Sequence, residues 1–281
     1  MLSTAAEAPK PYLTIRPSGR WAALKLAETW QFRDLLMALA ARDLKLRYKQ
    51  TALGVAWVIL QPLLAAGIFS FVFGSVAKLP SDGKPYFLFS YAGLLAWNLF
   101  NNTLTKSSGC LVGNSQLVSK VFFPRLVLPL STVPSTLVDF AVAFCMMCVF
   151  MVTYHVHPGL GILLLPVWGA AVLMLALGLG LWAAALTVSY RDVQYILPVF
   201  LQMLLYASPI AYAVTAVPER LRSVFFLNPL SAPLDAFRSA LLGTPMPPWH
   251  WLIYSIAVAG VVLIGGAFAF KSMEKRFADV I

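Results

Sequence analysis

Charge is scarce in this 281-residue sequence: Asp, Glu, Lys and Arg make 11% of it, against 60% hydrophobic residues and a mean hydropathy of +0.78. Soluble domains carry about a quarter charged residues, so a soluble globular fold is excluded. Cysteine is nearly as rare. Cys110, Cys145 and Cys148 cannot supply an even disulfide framework. Cys145 and Cys148 have the C-x-x-C spacing of a redox pair, but no Lys, Arg or His stands near them to stabilise a thiolate, and buried structural cysteines are expected. The three histidines are His155, His157 and His250. Two imidazoles in one short turn lack the further ligands of a zinc site, so a polar loop is expected and no metal. There is no G-x-x-x-x-G-K-[ST] phosphate loop, no H-E-x-x-H and no G-x-S-x-G. The chain therefore reads as a non-enzyme with no ATPase site and no bound cofactor of its own.

Long apolar runs are plentiful. Six segments are long enough for a ~30 Å hydrocarbon layer at about 1.5 Å per helical residue: 52–77, 86–104, 132–154, 160–188, 193–212 and 249–270. An all-α integral membrane fold with six transmembrane helices follows. A cytoplasmic arm (1–51) precedes the transmembrane domain (52–270), and a short cytoplasmic tail (271–281) follows it. Residues 1–20 hold Lys10, Arg16, Arg20 and three prolines without an apolar core, so no cleavable leader is expected. Between the fifth and sixth spans, 213–248 holds two amphipathic pieces too short to cross, suited to an interfacial or re-entrant pair. Pro218 can open the first; Ser231 is the expected N-cap of the second, with Pro233 in its first turn and Gly243 as its stop.

The net charge of +10 has to be read by position. With the amino end inside, sixteen of the 21 Lys and Arg fall in cytoplasmic segments, as the positive-inside rule requires, and both termini are cytoplasmic. Nucleic acid is not needed to explain the excess. In the arm, Trp21, Leu24, Leu26, Trp30, Leu35, Leu36 and Leu39 alternate at helical spacing with Lys25, Arg33, Asp34 and Arg42. Such a helix can lie on the inner leaflet among membrane lipids or pack on a partner protein.

Asp139 is the one acid inside an expected span. It would serve proton coupling, or sit near the membrane edge paired with a Lys or Arg of the preceding segment. Other polar residues within spans are neutral and accompanied by aromatics: Gln61, Phe69 and Phe73 in the first, Asn98, Asn101 and Asn102 in the second, Tyr195, Gln202 and Tyr206 in the fifth. Amides and rings on one face suit a passing sugar chain, and ordinary helix packing produces the same stripe.

Several strings are more specific. Arg42-Asp-Leu-Lys-Leu-Arg-Tyr-Lys-Gln-Thr-Ala-Leu-Gly-Val-Ala-Trp57, continuing to Gln61-Pro62-Leu63, resembles the entrance to the first span of type-two ABC exporter permeases of the polysaccharide export family. Phe123-Pro-Arg-Leu-Val-Leu-Pro129, Tyr190-Arg-Asp-Val193 with Pro198, Ser208-Pro209-Ile210, Asn228-Pro229, Phe237-Arg238 and Leu242-Gly243 resemble that family's later landmarks in the same order. The resemblance covers about residues 30–275. It includes permeases for O-antigen, capsule and teichoic acid, and implies a homodimer of six-span subunits in the bacterial inner membrane with two copies of a separate nucleotide-binding subunit, which holds ATP and Mg. The substrate implied is a lipid-linked glycan on an undecaprenyl-diphosphate carrier.

The resemblance further implies that the first and fifth spans border the channel; Gln61, Phe69, Phe73, Tyr195, Gln202 and Tyr206 there, with Asn98 of the second span, are the candidate lining. Arg42, Lys45, Arg47 and Lys49 are candidates for attracting the carrier's phosphates near the inner leaflet. The cytoplasmic segment between the second and third spans would dock on the ATPase. Its candidate helix is 114–125, with Val118, Val121, Phe122 and Phe123 as apolar anchors and Lys120 and Arg125 as rim charges. The short helices of 213–243 would form an external gate. Rival readings are an ABC exporter of drugs or small lipids and an ion-coupled secondary transporter, which should carry several membrane acids rather than one.

Overall fold

The structure is a computed structural model that describes residues 26–49 and 55–280, with side chains described for all of these but 26–28, 48, 49, 55, 160, 275, 276 and 278–280. The arm up to Lys25, with Trp21 and Leu24, lies outside the described residues, as do residues 50–54 and the side chains of Leu26 and Lys49. Among the described residues every regular element is helical. In order these are α1 (Leu26–Gln31), α2 (Arg33–Lys49), α3 (Val55–Phe69, continued by a π-helical stretch Ser70–Val76), α4 (Tyr86–Gly113), α5 (Ser115–Lys120), α6 (Val127–Thr153), α7 (Leu165–Ser189, entered through a 3₁₀ turn Leu160–Leu164), α8 (Val193–Tyr206), α9 (Glu219–Phe226), α10 (Ser231–Leu242) and α11 (Trp249–Val280).

Among the described residues, four stretches are long and apolar enough to cross a membrane: Ala56–Val76, Val127–Thr153, Gly161–Ser189 and Trp249–Glu274. Val193–Tyr206 is a shorter apolar helix. The expected run 193–212 is thus helical only to Tyr206, because Ser208 and Pro209 break it. Its 14 residues reach about 21 Å. At the other extreme, α4 runs 28 residues, about 42 Å, well past the expected end at 104. It carries Ser, Thr and Asn along its length and buries eighteen of those 28 residues. α4 packs against α3, α6, α7, α8 and α10, so helices rather than lipid surround most of it.

Most hydroxyls on these faces are satisfied locally, the buried Ser90 hydroxyl of α4 being an exception. Thr103, Ser107, Ser131, Thr132, Ser135, Thr136 and Thr187 each donate to a carbonyl three or four residues back. That is how a helix carries small polar residues through an apolar medium without an unpaired donor.

α7 crosses α11 at glycines. A Cβ on Gly178 would stand 2.6 Å from the Leu263 backbone nitrogen, and one on Gly266 would clash with the Gly178 carbonyl oxygen. Small residues at such a crossing let two backbones approach where lipid offers no hydrophobic drive.

Two apolar clusters result. The larger joins α4, α6, α7 and α10 around Phe89, Tyr91, Phe100, Trp168 and Phe237. The smaller gathers where α2, α5 and the end of α11 meet, around Leu39, Leu111, Val118, Phe123, Leu181, Phe270 and Phe277. α2 lays Leu39 and Ala40 inward against the bundle, chiefly on α6, while Trp30 and Met37 stay exposed.

One expectation about the short helices between α8 and α11 needs correction. α9 opens after Pro218 and is largely exposed, but all twelve residues of α10 are buried. Of the interfacial and re-entrant placements expected for this piece, burial fits the second, and its polar face is turned inward. Arg238 Nη2 donates to Asp235 Oδ1 at 2.7 Å, and its guanidinium lies 3.9 Å from the centre of the Phe89 ring. Burial pushes the Asp235 carboxyl above its usual range, and Arg238 draws it back down. Ser231 is not the expected N-cap. It is the first helical residue, and Asn228 Oδ1 accepts the Leu230 N–H at 3.1 Å in its place. Gly243 does end the helix in the left-handed conformation, at φ 67°.

The cysteines divide differently from expectation as well. Cys110 is buried, whereas Cys145 and Cys148 are exposed on α6. A mid-span position shields a side chain by lipid, which does not require burial in protein.

Candidate functional site

The polar side chains of α4 are brought against those of its neighbours in two separate cavities. In one, Asn98 and Asn102 join Gln61 of α3, Arg47 of α2, and Thr136 and Asp139 of α6. Asp139 is only 4% exposed and is the electrostatic centre of this cavity. Its Oδ2 accepts from Arg47 Nη1 and, at 3.0 Å, from Lys106 Nζ. Lys106 belongs to the segment preceding the third expected span, so the ion-pair reading of Asp139 is the one the geometry supports. A carboxylate shared by two cations has its desolvation offset by attraction, which an isolated acid there would lack. Below this pair a cavity of about 410 Å³ opens between α2, α4 and α6, lined by Arg47, Lys106, Asp43 and the hydroxyls of Thr105, Ser131 and Ser135.

The other cavity of α4, of about 530 Å³, separates it from α8 and is lined by Trp97, Asn101, Gln194 and Gln202 among others. Gln61 and Asn98 therefore line one cavity, and Gln202 and Asn101 another. Phe69 and Phe73 pair edge-to-face with ring centres 5.5 Å apart. Tyr195 and Tyr206 project from α8 at 78% and 56% exposure. Within one chain the seven candidate lining residues do not enclose a single passage.

Of the four basic candidates, two are engaged. Arg42 Nη2 donates to Asn114 Oδ1 at 2.7 Å and to Asp43, and Arg47 is held by Asp139. Lys45 is exposed.

The segment 114–125 is not one helix. α5 has six residues, after which Val121 turns extended. Val118 and Phe123 are buried in the chain's own smaller apolar cluster, at 2% and 4% exposure. Arg125 points the same way: its backbone N–H donates to Glu274 Oε1 at 3.0 Å and its guanidinium to the Glu274 and Val118 carbonyls. Lys120, Val121 and Phe122 remain exposed, Phe122 at 83%. Three of the six coupling candidates thus build the base of this segment and three form its tip.

Lys106 and Glu274 are the residues that sequence reasoning left out of the site. A lysine and an aspartate at facing ends of consecutive spans signalled the first; nothing local signalled the second.

The end of the bundle that carries α9 and α10 is tied together by landmarks scattered in sequence. Asn228 Nδ2 donates to Ser208 Oγ at 3.0 Å, Tyr86 Oη to the Ala211 carbonyl at 2.5 Å, and Thr215 Oγ1 to Asp82 Oδ1 at 2.8 Å. The break after α8, the start of α10 and the hairpin before α4 form one connected cap.

Comparison with known proteins gives this arrangement a family. The family described as ABC-2 type transporter matches residues 34–242. An O-antigen export system permease protein, RfbA, of Myxococcus xanthus is 30% identical over 256 residues, covering 90% of this chain and 98% of its own length. One from Klebsiella pneumoniae is 28% identical over 250 residues, 88% of this chain and 95% of its own. The polysialic acid transport protein KpsM of Escherichia coli is 26% identical over 247 residues, 85% of this chain and 93% of its own. This multi-pass membrane chain belongs to the ABC-2 type transporter family, as the permease subunit that works with a separate nucleotide-binding subunit.

Proposed function

We propose that this chain is the permease of an ATP-driven exporter that moves a lipid-linked polysaccharide, of O-antigen type on an undecaprenyl-diphosphate carrier, across the bacterial inner membrane. The observation that carries this reading is that relatives named for O-antigen export and for polysialic acid transport each align over 85% or more of the chain. The chain works as a homodimer of six-span subunits with both termini cytoplasmic, α4 and α8 serving as the second and fifth spans. Two copies of the nucleotide-binding subunit bind ATP and Mg.

The geometry supports a pathway completed by a second copy. α8 buries only Leu201, leaving Tyr195 and Tyr206 exposed while Gln202 faces the cavity shared with α4. Amides and rings displayed along such a face exchange hydrogen bonds with hydroxyls and stack on pyranose rings. The diphosphate head arrives on the side of α2, where Lys45 and Lys49 add positive potential beside Arg42 and Arg47. Lys120, Val121 and Phe122 seat in a groove of the ATPase, and closure of the ATP sandwich displaces them. The glycan then advances in ATP-driven steps with none of its bonds broken.

The test is ATP-dependent uptake of an undecaprenyl-diphosphate-linked glycan into inside-out vesicles holding this chain, with and without its nucleotide-binding subunit. Uptake that needs both subunits is expected. ATP hydrolysis by the pair without glycan uptake would transfer the assignment to drugs or small lipids. Uptake driven by a proton gradient alone would make the chain a secondary transporter.

A further inference from the structure

The loop between α5 and α6 is fastened at its base by the far end of the chain. Glu274, in the last turns of α11, receives the Arg125 backbone N–H on Oε1 at 3.0 Å across 149 residues of sequence. Its carbonyl oxygen accepts from Arg125 Nη1 at 3.4 Å, while Arg125 Nη2 reaches the Val118 carbonyl at 3.4 Å. The other carboxylate oxygen, Oε2, pairs with Lys271 Nζ at 2.6 Å, which fixes the rotamer that presents Oε1 to the loop.

Beneath these polar bonds, Phe270 and Phe277 stack edge-to-face at 5.2 Å, both fully buried in the cluster that holds Val118 and Phe123. The loop's base is therefore clamped to α11 by a carboxylate, a guanidinium and packed aromatic rings, and its tip at Lys120, Val121 and Phe122 is bare. From there α11 lies along α7, and α7 along α4.

A loop fastened in this way moves with α11 as one body, because packed interiors transmit displacement and free loops absorb it. A carboxylate bond to a backbone N–H is charge-assisted and therefore stronger than a neutral one. It stands two residues before the start of α6, where an unfastened chain would swivel.

We propose that Glu274 is a positioning residue for energy coupling: it ties the ATPase-facing loop to α11, so that displacement of Phe122 is carried into α11 and on through α7 to α4. This rests on the reading of 120–122 as the docking tip. It adds that the carboxyl-terminal end of α11 is part of the transmission, a role that nothing in the order of the sequence assigns.

The test uses the full chain with its nucleotide-binding subunit in membrane vesicles. Cys145 and Cys148 are replaced by Ser, and His250→Cys is placed as a reporter at the opposite, exposed end of α11. Three quantities are read: retention of the nucleotide-binding subunit on affinity purification, ATP hydrolysis, and the change in maleimide labelling rate of the reporter on adding ATP. Glu274→Ala should retain subunit and hydrolysis while the ATP-dependent change in labelling shrinks by roughly 2- to 30-fold. Glu274→Gln, whose amide oxygen can still accept the Arg125 N–H, should restore most of that change. Lys271→Ala should fall between the two.

A Glu274→Ala protein whose reporter responds to ATP as the parent does overturns the proposal. So does one that sheds the nucleotide-binding subunit, since the carboxylate would then build the docking surface itself, and so does a parent whose reporter ignores ATP. Phe122→Ala separates this from the docking reading: it should lose the subunit, and full retention would remove the docking tip while leaving the Glu274 measurement to stand or fall by itself.

Discussion

α4 and α8 were both expected to cross the membrane with amides and aromatic rings along their length, and the structure treats them in opposite ways. α4 is clasped on nearly every side; most of its polar groups are spent on carbonyls of its own helix or gathered at the Asp139 cavity and the cavity shared with α8. α8 touches the bundle through Leu201 and shows Tyr195, Met203 and Tyr206 outward. Similar composition thus marks a structural hub in one case and an uncovered working face in the other. A polar stripe identifies a helix that needs a partner; it does not say whether that partner lies in the same chain.

The contrast is broken most severely at Asp139. Asp139→Ala leaves Arg47 and Lys106 facing each other without the carboxylate they share, and should cost about 3–5 kcal/mol. Thermal unfolding in detergent would show it, and a second change, Lys106→Met, should recover part of the loss. A recovery of zero would mean that the two cations do not depend on Asp139.

Gly93 is the next most sensitive position, because a Cβ there meets the Ile210 carbonyl oxygen at 2.9 Å. Gly93→Val should destabilise the protein by about 1–3 kcal/mol through overpacking. It should also loosen the cap that follows α8, which limited proteolysis near 207–218 would detect.

On α8 the stability effects should nearly vanish. Tyr195→Ala and Tyr206→Ala should each shift stability by less than about 0.5 kcal/mol, as surface changes do, while glycan uptake per ATP hydrolysed falls. A loss of stability that depends on protein concentration would instead place these rings between two copies of the chain.

The smallest effect sharpens the comparison by chemistry alone. In a Tyr195→Cys protein with Cys145 and Cys148 replaced, a charged thiol reagent should label position 195 in vesicles containing the assembled transporter. Labelling only by a membrane-permeant reagent would turn α8 toward lipid and away from the pathway.

Much of this architecture was legible in the residue order. Apolar runs bounded by Lys and Arg marked α3, α6, α7 and α11, since backbone in lipid must be helical and charge must stay outside. The Lys106–Asp139 pair was foreshadowed by the expectation of a basic partner from the preceding segment, and Gly243 by its place after the last apolar turn. Other features were hidden by nonlocal contact. The Asn228–Ser208 bond just beyond the end of α8 joins groups 20 residues apart. Whether α10 was interfacial or buried stayed open because a local pattern cannot show that Arg238 finds Asp235 and the Phe89 ring inside the bundle. Val118 and Phe123 looked like anchors for a foreign groove, whereas their groove is formed by α2, α7 and α11.

By itself the sequence determined that this protein is helical, lives in a membrane and lacks the phosphate loop of an ATPase, because each of these follows from local composition, run length and motif. Only the tertiary structure decided which polar residues are consumed in packing and which stay available, and that the tail of α11 holds the loop before α6. Those outcomes depend on contacts between residues as far as 149 positions apart, where the free energy of a side chain is set by its neighbours in space.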